Sequence, residues 1–130
     1  MTTRVPAIIA AIVLLVQSAD AQTVRTGRLM REKLLHSQRI LAALTTSDYA
    51  LLQKETRALT AITENPEWAE MMTGALRPFT GGFIKALADL SAAADRRDYD
   101  AAGKSYTALT AACFNCHKHV MNSRIARTPE

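Results

Sequence analysis

Residues 99–121 read YDAAGKSYTALTAACFNCHKHVM, and the rest of the chain is best read outward from them. Ala102, Tyr106, Leu109, Cys113, Cys116, His117 and Val120 fall on one side of a helix. The chain has only two cysteines; they stand three apart, and a His follows the second at once. On a helix, Cys113, Cys116 and His117 lie within about 100° of arc, so all three can face one flat cofactor. A c-type haem needs this layout. Each thiol adds to one vinyl group of the porphyrin, and the adjacent His binds the iron as axial ligand. The segment therefore predicts one covalent haem c on Cys113 and Cys116, with His117 as its proximal iron ligand.

Two other chemistries use such a pair. A redox-active disulfide of the thioredoxin type needs a strand before it and a parallel sheet, and no strand pattern is present. A zinc site would need two Cys and two His, with His119 as the fourth ligand. His119 is two residues beyond His117, about 160° around a helix, and points elsewhere.

Three more long helical segments precede this one. The first runs from about Arg25 to Leu44, with Met30, Leu34, Leu41 and Leu44 sharing a face. Ser47 or Asp48 can cap the second, which continues to about Thr63 and carries Leu52, Leu59 and Ile62 on one side. Asn65-Pro66 reads as a cap and first-turn proline opening a short piece from Glu67 to Met72. Thr73 to Gly82, with Pro78 and three of the five glycines, reads as a linker. The third long helix starts at Phe79 or Phe83 and ends near Ala94, with Phe83, Leu87, Leu90 and Ala94 as its stripe. The Asp95-Arg96-Arg97-Asp98 turn follows. Alanine and leucine are frequent and aromatic residues make up only 5 %, which suits an all-α protein. Amphipathic helices with short connections imply an antiparallel four-helix bundle. The end of the last helix then lies beside the start of the first.

The N-terminus bears on location. Met1 to Arg4 carry one positive charge, Ala7 to Val16 is an apolar run of ten residues, and Ala19-Asp20-Ala21 offers small residues to a signal peptidase. The run is short for a membrane span, which takes about 20 residues. Residues 1–21 are therefore expected to be a signal peptide and 22–130 the haem-binding bundle. The mature protein would be exported, periplasmic if bacterial, with no membrane span; an uncleaved N-terminal anchor is the alternative. The net charge is +4, but export and the lack of aromatic-basic interleaving argue against nucleic acid.

With this architecture and a haem motif close to the C-terminus, the chain resembles the cytochrome c prime superfamily of class II cytochromes c. The resemblance covers the mature chain in architecture and is specific only at Cys113 to His117. It implies His117 as proximal ligand, a bundle that often forms a homodimer, and a distal residue from the first helix. That residue is apolar in gas-binding, five-coordinate members and a methionine in the electron-transfer branch. The sequence departs from the family four residues after the haem His, where many members carry Arg and this chain has Met121. Arg124 is a substitute near a propionate.

Met30 is the leading distal ligand. It sits near the start of the first helix, and a thioether is a soft donor to iron. Core filling is the ordinary role of a helical Met. His36 is the rival, about 120° further round. Met71 and Met72 read as core or cover, and His119 as exposed. Arg25, Arg28, Arg31 and Lys33 on the first helix and Lys118, Arg124 and Arg127 on the last gather at the haem end, against Glu32 and Glu130. Such a rim suits an acidic redox partner protein. The expected function is electron transfer without substrate turnover, so not an enzyme. The alternatives are a five-coordinate protein binding nitric oxide or carbon monoxide, and a haem subunit of a larger dehydrogenase.

Overall fold

The computed structural model describes the backbone of residues 5–72 and 74–125 and the side chains of residues 23–72 and 74–123. The described chain is helical, with no strand. Helix α1 spans Val5–Thr45, α2 Tyr49–Glu64, α3 Pro66–Met71, α4 Arg77–Arg96 and α5 Tyr99–Ile125, with a 3-10 turn over Gly74–Leu76 before α4. Met1 to Arg4 and the side chains of the expected signal peptide lie outside the described residues, as do the side chain of Arg124 and all of Arg127 and Glu130. Among the described residues no helix is long and apolar enough to cross a membrane.

Two turns of the same build set the layout. Ser47 (φ 56°) and Arg97 (φ 54°) take the left-handed conformation that ends α1 and α4. The next amide donates back into the finished helix, Asp48 N to Ala43 O at 2.9 Å and Asp98 N to Ala93 O at 3.0 Å. Each aspartate then caps the helix it opens, accepting from Leu51 N at 2.9 Å and from Ala101 N at 3.0 Å. In this way α2 folds back on α1 and α5 folds back on α4. These two pairs make the most extensive contacts, α2 joins them through α4, and α1 meets α5 sparsely. Asn65 caps α3 as expected, accepting from Glu67 N with Pro66 following it.

The core holds the expected Leu52, Leu59 and Ile62 of α2, Phe83, Leu87, Leu90 and Ala94 of α4, and Ala102 and Leu109 of α5. Fully buried leucines and isoleucines of this kind stabilise a fold by about 1.5–3 kcal/mol each.

Two expectations are corrected. The linker over 73–82 is shorter, because α4 begins at Arg77. Pro78 occupies its first turn, where its missing N–H costs nothing, and Gly81 and Gly82 are helical. The inward stripe of α1 is Leu29, Ile40, Ala43 and Leu44, whereas Leu34 and Leu41 are 57 % and 48 % exposed. Helix α1 is thus turned by roughly a quarter revolution from the apolar stripe. Between Leu29 and Ile40 the same face carries Lys33 and His36, whose polar groups find partners inside.

Candidate functional site: the cavity between α1 and α5

Because α1 and α5 meet only sparsely, their facing sides leave space between them. A cavity of about 490 Å³ is lined by Met30, Met71, Met72, Cys113, Cys116, His117 and neighbours. A second, of about 240 Å³, continues along α1 and α5 past Met30, Leu34, Leu109, Cys113 and His117. Volumes of ~300–1,000 Å³ are usual for cofactor sites. Met30, Lys33, Cys113 and His117 line both cavities, so they are two parts of one site.

Helix α5 positions the motif. Ala102 and Leu109 anchor one face in the core. Tyr106 ties the helix to α1 by donating its hydroxyl to Ser37 O at 3.0 Å. Continuing that face places Cys113 and Cys116 at the cavity, half-buried and as free thiols. Burial pushes the Cys113 thiol up, against the pull of the nearby Lys33 cation. Burial also pushes the Tyr106 phenol up. His117 stands at the rim of the site, exposed to solvent on its other side. Met30 is half-buried on the α1 wall. The structure thus brings together the four residues singled out in the sequence. Met71 and Met72, at the α3 end, cover the larger cavity.

His36 lies elsewhere. It turns toward α2, where its Nδ1 is 2.6 Å from Oε2 of the buried Glu55. The two side chains thus share a hydrogen bond across the α1–α2 interface. Arg39 approaches the same carboxylate at 3.8 Å. His119 is not exposed as expected but half-buried, its ring 4.8 Å from that of Phe79. It lines neither of the two cavities. Among the described residues no three His, Cys, Asp or Glu side chains gather to hold a bare metal ion.

Lys33 is the residue that sequence reasoning misplaced. Expected on the basic rim, it is turned inward. Its ammonium sits 3.6 Å from the Phe83 ring centroid and 4.8 Å from that of Trp68. Burial pulls its pKa below the usual lysine range, an effect opposed by the two cysteines when ionised. Trp68 is 3 % exposed, and its Nε1 has no acceptor among the described residues. At the rim, Arg28 pairs with Glu32 at 2.8 Å and also with Glu67 of α3, while Arg25, Arg31 and Lys118 remain exposed.

The residues fit a haem c. Two free thiols and a His share one cavity with a thioether, and the surrounding walls are mainly methionine, leucine, valine and aromatic side chains, with Lys33 and a few hydroxyl and amide groups among them. The chain matches no known family model, no curated protein and no solved structure.

Proposed function

We propose that the protein is an exported mono-haem c-type cytochrome acting in electron transfer, with an antiparallel four-helix bundle of the cytochrome c prime kind. The observation that carries the reading is the single cavity lined together by Cys113, Cys116, His117 and Met30. Bound there, the haem would supply an iron that changes oxidation state by one electron. Cys113 and Cys116 would hold the porphyrin by thioether bonds, fixing it to α5. His117 would ligate the iron on the proximal side, and Met30 on the distal side from α1. Two tight turns pairing α1 with α2 and α4 with α5 support the antiparallel arrangement.

Several features suit transfer of an electron rather than conversion of a substrate. The cavity walls are mostly apolar. His117 reaches the surface, which gives the electron a short exit. Arg25, Arg31 and Lys118 offer positive charge to an acidic partner protein near that exit. A segment like residues 1–21 would send the chain out of the cytoplasm, to the periplasm in a bacterium, where c-type cytochromes work.

The test is carbon monoxide added to the reduced protein. With Met30 on the iron, binding is slow and limited by release of the thioether. Rapid binding at every concentration would replace this reading with that of a five-coordinate gas-binding protein.

A further inference from the structure

Lys33 is neither a proposed haem anchor nor a proposed iron ligand, yet it is unusual chemically. It lies on the buried face of α1, one turn from Met30. Its Nζ stands over the Phe83 and Trp68 rings at 3.6 and 4.8 Å, both within the distance at which a ring face attracts a cation. No carboxylate among the described residues pairs with it, in contrast to Arg28, Arg39 and Lys85, each of which meets one. The aromatic faces hold the charge without neutralising it. Lys33 also lines both parts of the site that Cys113 and His117 line, and the narrow cleft beside Cys116. A lone cation is thus built into the wall of the pocket, in a setting where water screens it poorly.

We propose that Lys33 is a fixed internal cation that biases the pocket's haem iron toward its reduced state. The inference rests on the covalent-haem reading but not on Met30 as ligand. The ferric iron takes up one electron from a protein donor and becomes ferrous. No bond is made or broken, and no proton passes through Lys33. The ferric state carries one more positive charge than the ferrous state, so a nearby uncompensated cation repels it more. Coulomb interaction at low effective dielectric makes this repulsion large, and burial in the protein is one of the levers on haem potential. A cation on the rim has little such effect, because solvent and salt screen it.

The experiment is a redox titration of the haem-loaded full chain in about 0.15 M salt, with five proteins: parent, Lys33→Met, Lys33→Gln, Lys33→Arg and Lys118→Met. Lys33→Met keeps the length and apolar stem of the side chain and removes the charge but adds a thioether, so Lys33→Gln, which removes the charge without a soft iron donor, is titrated beside it. At any fixed applied potential the ratio of reduced to oxidised protein should fall at least tenfold in both, a midpoint lowered by about 59 mV for one electron. Lys33→Arg should stay within threefold of the parent, as should Lys118→Met. The ferric spin state should be the same in all five. If Lys33→Met titrates with the parent, or Lys33→Arg falls as far as Lys33→Met, the inference is overturned. A change of spin state in both Lys33→Met and Lys33→Gln also overturns it, since Lys33 would then be an iron ligand. Lys33→Gln, neutral but polar, gives the same reading should Lys33→Met fail to load. A parent protein without covalent haem would overturn the underlying reading as well, and its absorption spectrum shows this before any titration.

Discussion

Replacing His36 by alanine separates two roles that a histidine in a haem protein can have. In the structure its Nδ1 lies 2.6 Å from Glu55 Oε2, and the Glu55 side chain is 1 % exposed. Removing the ring leaves a carboxylate in the α1–α2 interface with one remaining cation, Arg39, at 3.8 Å and half exposed. Breaking a buried pair by deleting one partner costs about 3–5 kcal/mol. Arg39 can move closer, and the His36 side chain is itself 21 % exposed, so water reaches the gap. Both effects favour the lower end, about 3 kcal/mol. For a domain of this size that corresponds to a melting temperature lower by roughly 11–13 °C. Urea denaturation followed by circular dichroism measures the loss, and the absorption spectrum reports the iron in the same sample. Changing Glu55 to Leu in the His36→Ala background should recover part of the stability, because the stranded carboxylate is gone. A stability loss below about 1 kcal/mol would show that the pair does not hold the interface. A changed ferric spin state would show that His36 reaches the iron, and the assignment of Met30 would fall.

Met30→Ala should turn the ferric iron from low-spin to high-spin and lower its reduction potential, read by electron paramagnetic resonance and redox titration; because Met30 is only half-buried, the packing loss should be about 1–2 kcal/mol, below that of a fully buried Met. Tyr106→Phe removes the hydrogen bond to Ser37 O across the α1–α5 opening and should cost about 1 kcal/mol by urea titration. Burial raises the phenol's folded pKa above its unfolded value near 10, so the tyrosine's stabilising share is present below pH 10 and lost as pH rises through the folded value. The parent should therefore lose stability in that range more steeply than Tyr106→Phe. Asp48→Ala deletes the cap on α2 and should cost about 1 kcal/mol with no change in the spectrum.

The sequence revealed the elements whose signals are local. Capping at Asp48 and Asn65 and the stripes of α2, α4 and the first part of α5 follow from side-chain chemistry and helical period alone. The same holds for the grouping of Cys113, Cys116 and His117, which one helix turn brings together. Helix α1 was harder to orient. Its clean apolar stripe, Met30, Leu34 and Leu41, faces the cavity or solvent, while its packed face runs Leu29, Lys33, His36, Ile40 and Ala43. Two ionisable residues at inward positions break the period that marks a core. What compensates them, Glu55 on α2 and the rings of Trp68 and Phe83 on α3 and α4, lies 19 or more positions away in the chain. No local pattern carries that information. The spacing of four between Leu29 and Lys33 and again between His36 and Ile40 was a faint sign, readable only if a buried lysine is admitted. Likewise His119 gave no hint of Phe79, which is brought to it by the pairing of α4 with α5.

The central claim is that Cys113 and Cys116 carry a haem through thioether bonds. It is tested most directly on protein matured in a host that attaches c-type haem, extracted with acid acetone, then alkylated under denaturing conditions and digested. The account predicts that the haem stays with the chain, that the peptide containing Cys113 to His117 is heavier by one haem, and that neither thiol takes up the alkylating reagent. Haem passing into the acetone, with both cysteines alkylated, would contradict it.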